Sequence, residues 1–158
     1  MRQSGFSLVE LIVIMAIMGI LLGIGTLNFS QMSRKSAVES QVKTLHADLM
    51  AVRSEALFRK RERALTIGGS TFAVYSSRTV TGTPVKTRAL KYPVKNAGAV
   101  VIEFDTLGLS RFAVPEAVCI SSPDDSPATD SVVVTRSMIF MGKLKPGMEC
   151  NDENVVVR

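Results

Sequence analysis

Hydrophobic positions change their period twice along this chain. From Phe6 to Leu27 nearly every residue is apolar or small, and no charged side chain follows Glu10 until Arg34. Taken as Phe6–Asn28, this run is long enough for a membrane-crossing helix, which needs about 20 apolar residues. Farther on, the apolar positions thin to one stripe: Val38, Val42 with Gln41 beside it, Leu45, Leu49, Val52 and Ala56. From Val42 the steps are three, four, three and four residues, the spacing of a single helix face. One helix is predicted from about Phe6 to Arg61, and residues 29–63 are its amphipathic continuation. Fewer than three full heptads make a coiled-coil seam weak, so the stripe is expected to pack under a sheet. Asp48 and Glu55 fall off it.

Past Arg63 the period changes again. Ala64–Gly68 and Thr71–Ser77 are rich in β-formers and flank Gly68-Gly69-Ser70, a hairpin signal. Thr87–Val94, Ala99–Asp105, Leu109–Val114, Ala117–Ser121 and Ser131–Ser137 read as further strands, with Pro93 demoting its segment to an edge. Residues 121–130 form a polar loop, and the tail from Met138 carries a Pro146-Gly147 turn and a final strand, Val155–Val157. The expected class is α+β: a long N-terminal helix, membrane-spanning in its first half, packed on a small antiparallel β-sheet head over 64–158.

The chain has 158 residues, enough for one anchor and one small head. Its net charge of +5 suggests a nucleic-acid partner until it is located. Residues 34–63 hold eight basic and four acidic side chains, residues 64–158 ten and nine. Most of the excess therefore lies just beyond the apolar run, where it suits anionic headgroups or a solvated helix face. Within the head, Arg78, Lys86, Arg88, Lys91 and Lys95 follow one another without an acid between them. That stretch is the candidate for phosphate contacts, with Arg88, Lys91 and Lys95 as the contact residues; a solvated strand edge is the other reading.

Candidate chemistry is sparse. The single histidine, His46, lies beside the helical stripe and reads as a packing residue. No nucleophile motif accompanies it, so no catalytic residue is assigned and a membrane-tethered enzyme is disfavoured. Cys119 and Cys150 lack metal-ligand spacing. A disulfide between them is permitted in an oxidising compartment, and two buried free thiols are the alternative. Asp124, Asp125 and Asp130 carry oxygen ligands but not a calcium-loop spacing, and a solvated loop fits them better. No metal or cofactor is expected. Glu10 is the anomaly: an acid near the opening of an apolar span is a functional-site candidate. A secretory signal would place its small-residue cleavage site after the apolar core, not before it. An ordinary single-pass anchor leaves Glu10 unexplained.

Gly5-Phe6-Ser7-Leu8-Val9-Glu10-Leu11, behind a short leader with Arg2, resembles the type IV prepilin signature. The resemblance implies a leader at 1–5, cleavage between Gly5 and Phe6 by a prepilin peptidase, and N-methylation of Phe6. It also implies that Glu10 meets the terminal amine of a neighbouring subunit during assembly, a pairing that relieves a buried charge. Ala51-Val52-Arg53-Ser54-Glu55-Ala56 and Phe104-Asp105-Thr106-Leu107-Gly108 are similar to stretches of H-type pseudopilins of type II secretion and T/U-type minor pilins. Many pilins have proline where Leu27 stands; here Gly19, Gly23 and Gly25 occupy the region instead.

The implied function is a pilin-like structural subunit that helps initiate or cap a type IV pilus or a type II secretion pseudopilus. The alternative is a DNA-binding minor pilin for DNA uptake. The implied partners are other pilin or pseudopilin subunits, the prepilin peptidase, the inner-membrane assembly platform and inner-membrane lipid, with DNA the less favoured one. The N-terminus is expected in the cytoplasm by the positive-inside rule and the head in the periplasm. Mass spectrometry of protein from its native host is expected to find the mature N-terminus at Phe6, methylated. Recovery of intact Met1, or of a cut after residue 25, would overturn the prepilin reading.

Overall fold

The computed structural model describes residues 7–111, 114–121 and 127–158. Gly5 and Phe6 lie outside these, as do Asp124 and Asp125 and part of the strand expected over Leu109–Val114. The elements run α1 (Leu8–Arg59), β1 (Arg63–Gly68), β2 (Thr71–Tyr75), β3 (Lys86–Ala89), β4 (Val100–Phe104), β5 (Glu116–Cys119), β6 (Ser131–Val134), β7 (Ile139–Leu144) and β8 (Val155–Val157). The chain divides into two compact units, Met1–Arg34 and Lys35–Arg158.

In the first unit the helix leaves its apolar side chains uncovered. Leu8, Val9, Leu11, Ile12, Met15, Ile17, Met18, Ile20, Leu21 and Leu22 are all exposed, and so is Glu10. A helix apolar all round with nothing packed on it needs lipid or other chains as its surroundings. Among the described residues no helix is long and apolar enough to cross a membrane.

The second unit is an α+β fold. Its antiparallel strands divide into two four-stranded sheets, ordered β3-β2-β1-β4 and β5-β6-β7-β8. Both sheets contribute side chains to one core with the helix. Val38, Val42, Leu45, Leu49, Val52 and Ala56 are buried there with Leu65, Ile67, Phe72, Val74, Ile102 and Phe104 of the first sheet. Val118, Ile120, Val132, Val134 and Ile139 join them from the second. The seven-residue repeat of the stripe keeps these positions on one face, drifting only about 20° per repeat in a straight helix.

The other face of the second sheet is covered too. Ala117, Cys119, Val133, Leu144 and Val155 form a smaller cluster with Cys150 packed against it. All four residues of β6 are therefore buried, which explains the unbroken run Val132-Val133-Val134 where a half-solvated strand would alternate.

The local chemistry that fixes these elements can be read at their ends. The helix stops at Arg59, two residues before the expected Arg61. Lys60 adopts a left-handed φ of 52°, and the N–H of Arg61 donates to the carbonyl of Ala56 at 3.2 Å. That six-to-one bond around a left-handed residue is a Schellman ending, here built on lysine where glycine is usual. The β1–β2 hairpin closes as expected, with Gly68 opposite Thr71 and Gly69 at φ 55°.

Other boundaries differ. The strand expected over Thr87–Val94 is β3 alone, an edge strand. The strand expected to reach Ser137 stops at Val134, because Thr135 and Met138 bond each other as a turn. Ile139–Leu144, expected as part of the tail with no strand assigned to it, is strand β7. Its Met-Gly-Lys interior hides the β pattern. Gly142 is required because β8 runs so close that an added Cβ would collide with Val155 Cγ1 and meet Val156 O at 2.9 Å. The Leu109–Val114 segment contributes, among its described residues, only an isolated bridge from Ser110 to Phe104.

Leu49→Ala is expected to lower unfolding stability by about 2–5 kcal/mol, because it leaves a cavity where helix and sheets meet. Met50→Ala, one residue on and exposed, is expected to stay within about 0.5 kcal/mol of wild type. Urea unfolding of the detergent-solubilised chain, followed by circular dichroism, checks both.

Candidate functional site

The polar side chains that flank the buried stripe of α1 carry the specific contacts to the head. Gln41, Asp48 and Glu55 recur every seven residues on one flank. Gln41 donates from Nε2 to the carbonyl of Tyr92 at 2.7 Å and accepts the Tyr92 N–H at 2.9 Å. Asp48 pairs with Lys86 at 3.1 Å and with Arg88. Glu55 pairs at 3.0 Å with Arg63, which is almost fully buried and also donates to the carbonyl of Ser76. On the other flank Glu39, His46 and Arg53 recur at the same spacing. Glu39 accepts the N–H of Ala128 at 2.7 Å. His46 Nε2 meets the carbonyl of Ile139 at 3.1 Å, and Arg53 Nε donates to the carbonyl of Gly108 at 2.8 Å.

This array joins the two stretches singled out around Arg53 and Gly108. Phe104 is buried, and Asp105 organises the turn that follows by accepting the N–H groups of Leu107 and Leu109. Gly108 sits at φ 69°, packed against Arg53. A glycine is favoured there by the left-handed backbone. Arg53 thus recognises a loop carbonyl that only the folded turn presents. Sequence reasoning placed both stretches but not their contact. It also left Asp48 and Glu55 simply off the stripe, although their seven-residue recurrence was visible, and it missed the pairing of Arg63.

The basic stretch is not a free cationic surface. Asp48 from the helix pairs with both Lys86 and Arg88, offsetting one of their two charges, and Glu103 from β4 pairs with Arg78 at 3.5 Å. Arg88 also lies over the ring of Phe72, 5.5 Å from its centroid. Of the five cations, Lys91 and Lys95 alone make no ion pair among the described residues. The acids absent from the local sequence come from elements distant in the chain, so of the candidate contact residues Arg88 shares its charge with Asp48, while Lys91 and Lys95 do not.

Cys119 and Cys150 are joined by a disulfide with Cα atoms 5.9 Å apart. It ties β5 to the tail that precedes β8. Asn96 seals the same corner, donating to the carbonyl of Ala117 at 2.8 Å and accepting the N–H of Cys119. Asp130 has a structural role. Its Oδ1 accepts the Leu144 N–H at 2.7 Å and the Ser131 hydroxyl at 2.6 Å, which occupies it with β6 and β7. Among the described residues no group of three His, Cys, Asp or Glu side chains is placed to hold a metal ion.

At the N-terminal end, Ser7 O accepts the N–H of Leu11 at 3.2 Å, and Glu10 stands in the first turn of α1. The Glu10 side chain is exposed.

The family described as the prokaryotic N-terminal methylation motif matches residues 1–26. Two crystal structures of the Pseudomonas aeruginosa type IV minor pilin FimU share the fold at 14% identity. One gives a TM-score of 0.55 and covers 73% of this chain and 92% of that one. The other gives 0.54, covering 72% and 97%. No curated protein sequence matches the chain.

Reduction of the disulfide is expected to lower stability by about 3–4 kcal/mol, the loop-entropy value for a bridge spanning 31 residues. Thiol labelling of unfolded, unreduced protein is expected to find no free thiol. Two labelled cysteines before reduction would contradict the bridge.

Proposed function

We propose that this type IV pilin-like chain is a non-enzymatic minor pilin or pseudopilin, a structural subunit that helps initiate or cap a filament. The N-terminal methylation motif over residues 1–26 carries this reading, because it is continuous with an exposed apolar helix that leads into a minor-pilin-like head. In this account the prepilin peptidase cuts after Gly5 and Phe6 becomes the methylated N-terminus. Phe6–Asn28 anchors the subunit in the inner membrane with the head in the periplasm. Lateral packing against other subunits at the assembly platform then replaces lipid around the apolar helix.

Glu10 gives assembly its direction. A carboxylate within an apolar span costs about 2.5–3.5 kcal/mol near the bilayer centre and less toward its edge. An amine from a neighbouring subunit offsets that cost, so the assembled state is favoured over the parked one. A pilus and a type II secretion pseudopilus use the same physics, and both remain within the proposal. DNA uptake is the second reading. It rests on the Arg78–Lys95 stretch, and the ion pairs made by Asp48 and Glu103 weigh against it.

Glu10→Leu is expected to leave membrane insertion intact while sharply reducing co-purification with other pilin-like subunits. Equal co-purification would remove Glu10 from assembly. Titration of the solubilised chain with duplex DNA at two salt concentrations is expected to show no binding at physiological salt. A steep salt dependence, about 0.9 units of slope per phosphate contact, would favour the DNA-uptake reading instead.

A further inference from the structure

A cleft of about 310 Å³ lies between α1 and the edge strand β3, lined on the helix by Ala37, Ser40, Gln41 and Thr44 and on the head by residues 88–91. Its two ionisable lining groups, Arg88 and Lys91, are both cations. Arg88 is 28% exposed and directs one terminal nitrogen at Asp48, while Lys91 is exposed and makes no ion pair among the described residues.

The strand beside the cleft is open as well. β3 is the last strand of its sheet, and the N–H of Leu90 bonds Ser70 O across to the hairpin. By antiparallel alternation, Thr87 and Ala89 turn their backbone N–H and C=O groups away from β2. An extended chain laid along that edge can pair with them. One side chain in two would then face the cleft.

We infer that this cleft receives an acidic side chain carried on an extended segment of another pilin-like head. The inference rests on the proposal that the chain assembles with such subunits. Arg88 and Lys91 bring two positive charges to the cleft against the single carboxylate of Asp48, a surplus that suits an incoming acid. The small side chains of Ala37 and Ser40 leave room for the incoming chain. A duplex phosphate is the poorer occupant, because Arg88 is recessed and already half-neutralised by Asp48.

A photo-crosslinking residue in place of Ala89, at the exposed mouth, tests this in the full-length chain in its host. The expected adduct joins Ala89's position to a second pilin-like subunit, with an Asp or Glu within about two residues of the linked site, as β-pairing would place it. Lys91→Glu and Thr44→Glu, both at exposed positions, are each expected to cut its yield at least tenfold while melting curves stay unchanged. Lys91→Gln, the milder variant, is expected to fall between them and wild type. Adducts to DNA or lipid alone, to a segment without an acid, or a yield indifferent to all three substitutions would overturn the inference. Continued co-sedimentation with other subunits without the Ala89 adduct would refute the cleft and leave the subunit assignment standing. Loss of all association with other subunits in the wild-type chain would refute both.

Discussion

Burial of one helical stripe against two sheets at once is the constraint on which the head depends. Neither sheet buries its inner face on the other alone; the side chains of both meet Val42, Leu45, Leu49, Val52 and Ala56. Each fully buried residue of this size contributes about 1.5–3 kcal/mol relative to exposure. Shape and burial bring the helix to the sheets, but they do not fix its rotation. The polar flanks do that. Gln41, Asp48 and Glu55 on one side, and Glu39, His46 and Arg53 on the other, each find a partner that a turned or slipped helix would miss. A wrong register would leave these half-buried groups without their partners, each at a cost below the roughly 1–3 kcal/mol of a fully buried unpaired group.

The same helix meets two different environments. In Lys35–Arg158 the polar flanks of the helix bond the head. In Met1–Arg34 the apolar side chains from Leu8 to Leu22 are uncovered, and Glu10 is the sole acid. A chain built this way is energetically incomplete by itself in water. The proposed filament answers both halves of that problem, covering the apolar surface with neighbouring helices and giving the acid an amine.

Charge arrangement separates the candidate functions. Net charge and a run of basic residues point toward nucleic acid. In three dimensions Asp48 and Glu103 pair with three of the five cations in that run and offset two of their charges. Arg88 and Lys91 remain beside an open strand edge, a setting that suits an acidic segment.

Read alone, the sequence determined the features that depend on neighbours along the chain. The apolar run, the stripe from Val38 to Ala56, the Gly69 hairpin, the Pro146-Gly147 turn and the methylation motif all follow from local periodicity or local backbone chemistry. Tertiary structure decided what depends on residues far apart. β7 was hidden because Gly142 is chosen for the approach of Val155, not for strand propensity. The helix ends at Lys60 because a left-handed turn must bring Arg63 back to Glu55 and Ser76, which no stop signal announces. The division of the strands into two sheets, and the pairing of Arg78, Lys86 and Arg88 with distant acids, arise only when the chain closes on itself. Ion pairs and sheet partners are set by proximity in space, and local pattern carries no record of it.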